Sequence, residues 1–163
     1  MSVTRDIAAT YRGPGRVMRR LLAMGEREDR ALAILVAGCA VMFIAQMPRL
    51  AREAHLTGQE LNPLLGGTLL AWMFIAPLLL YVLALISHWI ARAFGGRGSG
   101  FGARLALFWA LLAASPLILL QGLTAGFVGP GAALNIVGVI WLGCFALFWG
   151  LGLREAEWGT NDD

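Results

Sequence analysis

From Leu105 to Leu153 the chain reads LALFWALLAASPLILLQGLTAGFVGPGAALNIVGVIWLGCFALFWGLGL, 49 residues without one charged side chain. Wholly helical, such a run would extend about 74 Å at 1.5 Å per residue. That is more than twice the roughly 30 Å hydrocarbon core of a bilayer. The run therefore has to fold back on itself. Its turn chemistry sits in the middle, where Gly122–Leu134 carries Gly126 and the Gly129-Pro130-Gly131 triplet, residues suited to tight reversals. Two helices are predicted, over 104–123 and 133–153, with Pro116 as a kink in the first.

Two shorter charge-free windows precede this one, Ala31–Pro48 with 18 residues and Leu61–Ala91 with 31. The first predicts a helix over 31–48, closed by Pro48 because proline removes a helical donor and crowds the preceding turn. The second is too long for one flat crossing and too short for two. It predicts a tilted helix over 64–90 with Pro77 as a kink. The fold class is thus all-α, a polytopic transmembrane helix bundle of about four spans across 31–153. An N-terminal cytoplasmic amphipathic segment, 1–30, precedes it, and a cytoplasmic tail, 154–163, follows.

Composition agrees. Of the 163 residues, 58% are apolar and 14% charged, and the mean hydropathy is +0.70. Soluble domains run to roughly 45–50% apolar and about 25% charged. A soluble enzyme, a disordered tail and a disulfide-rich secreted module are excluded.

Orientation follows from arginine, which supplies all 13 basic residues. Arg5, Arg12, Arg16, Arg19, Arg20, Arg27 and Arg30 precede the first span, Arg92, Arg97 and Arg104 lie between the second and third, and Arg154 follows the fourth. Only Arg49 and Arg52 fall in the loop between the first two spans. Eleven against two is a strong positive-inside bias, so both termini are predicted to be cytoplasmic and the membrane to be the inner one. A cleaved signal peptide is the rival reading of Met1–Pro48, but the basic region is long and no A-x-A site precedes Arg49. The first span is expected to be retained.

Ahead of that span, Val17, Met18, Leu21 and Leu22 share one side of a helical wheel, with Arg16, Arg19 and Arg20 on the other. Gly13-Pro14-Gly15 separates this segment from Arg5–Tyr11, where Ile7 and Tyr11 share a face. A basic helix with an apolar stripe can lie among anionic headgroups; the alternative is that the stripe packs on the ends of the bundle. Arg12, Arg16, Arg19, Arg20, Arg92, Arg97 and Arg104 are the candidate contacts with membrane surface or partner.

Chemistry is sparse within the windows. His88 is the one ionisable side chain well inside the helical segments, and its place beside Trp89 and Arg92 reads as interfacial. Ser87, His88 and Ser115 do not make a nucleophilic site, because Ser115 precedes Pro116 and serves the backbone of a kink. Glu53, His55 and Glu60 match no metal-ligand spacing. Cys39 and Cys144 lack the C-x-x-C pattern, and two Cys with two His cannot ligate haem or an iron–sulfur cluster in the usual ways. No catalytic residue, cofactor or metal is expected, and no nucleic-acid partner.

Small residues point to packing. Ala106, Ala110, Ala113 and Ala114 line the third helix and Gly143, Ala146 and Gly150 the fourth, an arrangement that lets helices approach closely in lipid. A docking or self-association face is the second use of such strips.

Between the second and third spans runs Arg92-Ala-Phe-Gly-Gly-Arg-Gly-Ser-Gly-Phe-Gly-Ala-Arg104. It lacks the G-x-x-x-x-G-K-[ST] phosphate loop. With Gly95, Gly96, Gly98 and Phe101, then an apolar helix holding Pro116, the segment resembles the Yip1 family of small polytopic membrane proteins. The basic stretch Arg12–Met24 is similar to the amphipathic start of bacterial members. Family members carry five spans, and this chain reads as four. The resemblance implies an all-helical membrane protein and brings no catalytic residues.

The expected function is that of a non-enzymatic, Yip1-like integral membrane protein of the bacterial inner membrane. Its expected partners are anionic lipid headgroups and other membrane proteins or a second copy of itself. A small permease or channel acting as an oligomer, and an accessory subunit of a respiratory or photosynthetic complex, are the alternatives.

Overall fold

A computed structural model describes residues 2–159. The elements run α1 (Val3–Thr10), α2 (Pro14–Ala23), α3 (Glu28–Thr57), α4 (Leu61–Leu70), α5 (Ala76–Ala93), α6 (Gly100–Ala113), α7 (Ser115–Phe127) and α8 (Ala132–Trp158). No strand occurs among the described residues. A π turn, Ala71–Ile75, joins α4 to α5, so Leu61–Ala93 is one helical run of 33 residues. That run, the 30 residues of α3 and the 27 of α8 are each long and apolar enough to cross a membrane. The α6–α7 pair, bent by 45°, makes a fourth if it counts as one span.

Several boundaries differ from the sequence reading. Pro48 does not close the first helix; α3 continues through it to Thr57. Gly126 of α7 lies directly against Pro48, and contact of this kind between neighbours holds proline inside apolar helices. The second helix carries its irregularity one turn ahead of Pro77. The Ala76 N–H donates to the Ala71 carbonyl, the wide π spacing, and Pro77, which has no N–H to donate, follows directly inside the continuous run. The third run breaks where expected, with Pro116 in the first turn of α7, but its first helix begins at Gly100 rather than 104. The reversal shrinks to Val128–Gly131, with Gly129 at φ +85°. The fourth helix does not stop at Leu153 but runs on to Trp158.

These helices assemble around α6. From Phe101 to Ala113 every side chain is buried except Arg104, which is half-buried, and α1, α3, α5 and α8 pack round it. Ala106, Ala110, Ala113 and Ala114 are all buried, as their role in close packing requires. The strip on the fourth helix behaves differently: Gly143, Ala146 and Gly150 are exposed, and Gly152 instead meets Ala106. Beyond the bend, α7 runs alongside α3. A Cβ on Gly122 would overlap the Ala45 carbonyl, so only glycine permits this approach. The outer helices leave apolar side chains such as Phe74, Leu78, Leu79, Ile136 and Val139 exposed, the pattern of a surface solvated by lipid.

The two ends of the bundle differ. Arg104 pairs with Glu28 at one; at the other, Arg52 Nη1 donates to the Gly126 carbonyl at 3.2 Å, beside the Val128–Gly131 turn.

Gly122→Ala is predicted to lower stability by about 1–3 kcal/mol through overpacking. Gly66, whose Cβ position is open, should tolerate Ala with no loss or a gain of up to about 1 kcal/mol. Unfolding in detergent micelles measures both, and equal losses at the two sites would contradict the α3–α7 approach.

Candidate functional site

The arginine-rich end combines two structures that lie far apart in sequence. The first is a V formed by α1 and α2. Pro14 starts α2 in the first turn, where proline is pre-organised, and Val17, Met18 and Leu21 follow on one side. All three are buried in the common core. The sequence offered headgroup layer or bundle for this stripe; the structure places it on the bundle. At the far end of α2, Arg30 Nη2 donates to the Leu21 and Gly25 carbonyls at 3.1 and 2.8 Å, groups that a helix terminus otherwise leaves unpartnered.

Polar contacts fix α1 as firmly. The Thr10 hydroxyl donates to the Asp6 carbonyl at 2.8 Å and accepts from Trp109 Nε1 at 3.1 Å. One buried oxygen thus links α1 to α6. Asp6 is itself buried and pairs with Arg20, closing the V. Tyr11 sets its ring edge on Phe148 of α8 with centroids 4.9 Å apart, and partial burial pushes its phenol above the ordinary range.

With the apolar sides used internally, the basic sides turn outward. Arg5, Arg12, Arg16 and Arg20 line a cleft of about 540 Å³ between the two helices. Among the described residues, Arg5, Arg12 and Arg16 have no ion-pair partner, whereas Arg19 Nε meets Glu155 Oε1 at 2.9 Å. The candidate set therefore divides. Arg12, Arg16 and Arg20 converge with Arg5, which the sequence reading did not single out; Arg19 and Arg104 are taken up by Glu155 and Glu28.

The second structure is the loop from α5 to α6. Gly98 presses on α8, where a Cβ would overlap the Ala156 carbonyl, and one on Gly96 would lie 2.9 Å from both the Ala91 carbonyl and Glu157 Oε2. The Arg97 N–H donates to the Glu157 carbonyl at 2.8 Å. Gly95, at φ +87°, ends α5 in a conformation that suits glycine. Phe101 is buried just beyond the loop, and Arg92 and Arg97 are exposed. Steric need, rather than phosphate binding, thus accounts for Gly96 and Gly98.

Under this loop His88 Nδ1 lies 2.5 Å from Glu157 Oε1, with the carboxylate side chain fully enclosed. Glu157 Oε2 is buried and has no hydrogen-bond partner among the described residues. His88 is therefore not a lone interfacial histidine; it ties α5 to the end of α8. The sequence reading assigned Glu157 to a tail and missed the pair. A signal existed, because no helix breaker separates Leu153 from Gly159. Ser87 is occupied locally, its hydroxyl donating to the Ala84 carbonyl at 2.8 Å, and Ser115 lies at the α6–α7 bend.

Fold and site together define an all-helical protein with three or four apolar helices long enough to cross a membrane and an arginine-lined N-terminal V clamped to its bundle. Compared with known protein families, curated proteins and solved structures, the chain matches none.

Removing one partner of a buried hydrogen bond leaves the other unsatisfied, at a cost of about 1–3 kcal/mol, whereas apolar replacement of both can be nearly neutral. His88→Leu is accordingly predicted to destabilise the fold strongly, and His88→Leu with Glu157→Leu to restore most of the loss. Chemical unfolding of the two variants in micelles tests this; a double variant no more stable than His88→Leu would contradict the pairing.

Proposed function

We propose that the chain is a non-enzymatic, Yip1-like integral membrane protein of the bacterial inner membrane. It crosses the bilayer four times with both termini in the cytoplasm, and it organises partner proteins or lipid from that side. The observation that carries this reading is the division of labour in α1 and α2. Their apolar sides and Thr10 hold them to α6 and α8, while four arginines face out from a fixed V. An arginine surface that served only to set topology needs no such anchoring. One held in register by a buried hydrogen bond and an ion pair offers guanidinium groups at defined positions to phosphate or carboxylate. The Gly95–Gly98 loop supports the same reading, since it clamps the end of α8 next to the V and gives the arginine-rich end one rigid surface.

A photoreactive residue in place of Arg12 should yield discrete adducts with a protein or an acidic lipid in native membranes, whereas one in place of the exposed Leu79 of α5 should yield only unselective adducts with bulk lipid. Solute flux through liposomes, with no adduct from position 12, would overturn the reading in favour of a permease.

A further inference from the structure

We propose that the V between α1 and α2 is a discrete binding site for one acidic phospholipid, with the headgroup phosphate on the arginines and an acyl chain in the notch behind α1. This rests on the reading of the V as the organising element and names its ligand.

The arginine cleft does not stand alone. On the other side of α1, a second cleft of about 580 Å³ opens between Ile7, Tyr11, Pro116, Leu117 and Leu120, and Ala8 lines both. It exists because α7 leaves the direction of α6 by 45° at Pro116, which α1 spans without filling. One small residue thus separates a basic cleft from an apolar one, the juxtaposition that an amphipathic ligand with a short polar head requires.

Charge fixes the head. Asp6 neutralises Arg20, leaving the guanidinium groups of Arg5, Arg12 and Arg16 uncompensated among the described residues. Arginine forks match phosphate oxygens in pairs. The apolar notch fixes the tail and argues against free phosphate: Ile7, Pro116 and Leu120 offer van der Waals contact to a hydrocarbon chain, and an inorganic ion has nothing to gain from them.

The full-length protein, delipidated in detergent, is titrated with phosphatidylglycerol, phosphatidylcholine or inorganic phosphate and read by native mass spectrometry. Phosphatidylglycerol should give a single bound copy at least tenfold tighter than phosphatidylcholine. Arg12→Gln with Arg16→Gln should weaken it at least tenfold, as should Ala8→Trp, which blocks the junction of the clefts from its apolar side. Arg27→Gln, at the exposed Arg27–Asp29 pair, should change it less than twofold, with helicity unaltered in all three. Equal binding of the two lipids, or equal loss from Arg27→Gln and the cleft variants, would overturn the site as diffuse surface attraction. Displacement of lipid by millimolar phosphate, with Ala8→Trp inert, would overturn the lipid and leave a phosphate site. Loss of the lipid adduct with position-12 protein cross-links retained would remove this inference alone; the reverse would remove protein organisation and keep the lipid site.

Discussion

The enclosure of α6 sets the terms for the rest of the molecule. An apolar helix with buried alanines along its length gives neighbouring backbones close access, and in lipid such contact replaces the hydrophobic drive that gathers helices in water. Once α1, α3, α5 and α8 surround it, the remaining apolar surface falls on the outer faces of α3, α4, α5, α7 and α8. The bend at Pro116 then lets α7 follow α3, where Gly122 and Gly126 bring the two helices nearly into backbone contact.

The same enclosure explains why a polar residue such as Thr10 sits in the core. Trp109 of α6 is buried, and its indole N–H needs an acceptor. The α1 hydroxyl supplies it at 3.1 Å, so the N-terminal segment completes the bundle rather than merely preceding it. Its basic face is then held at a fixed distance from the α6–α7 bend, and the proposed function draws on that geometry.

Much of this was legible in the chain because charge and hydropathy report the medium directly. The charge-free windows located every long helix, and the glycine-proline cluster placed the reversal near Pro130. Helix ends were less legible. Pro48 reads as a stop on local grounds and is overridden by Gly126, 78 positions away. The extension of α8 past Arg154 was hidden because a charged residue reads as a span limit, whereas Glu157 is enclosed by His88 and the Gly96 loop. The convergence of Arg5 with Arg12, Arg16 and Arg20 depends on the angle between two short helices, which no periodicity encodes.

The most direct test of the account is the path of the bent α6–α7 pair. In a background with Cys39 and Cys144 replaced by alanine, Arg97→Cys and Val128→Cys are labelled with an impermeant maleimide in sealed vesicles of known orientation. The account predicts labelling from opposite sides, with Arg97→Cys reached from the cytoplasmic side. Labelling of both from one side would mean that the pair re-enters instead of crossing, and would contradict a bundle built around a spanning α6.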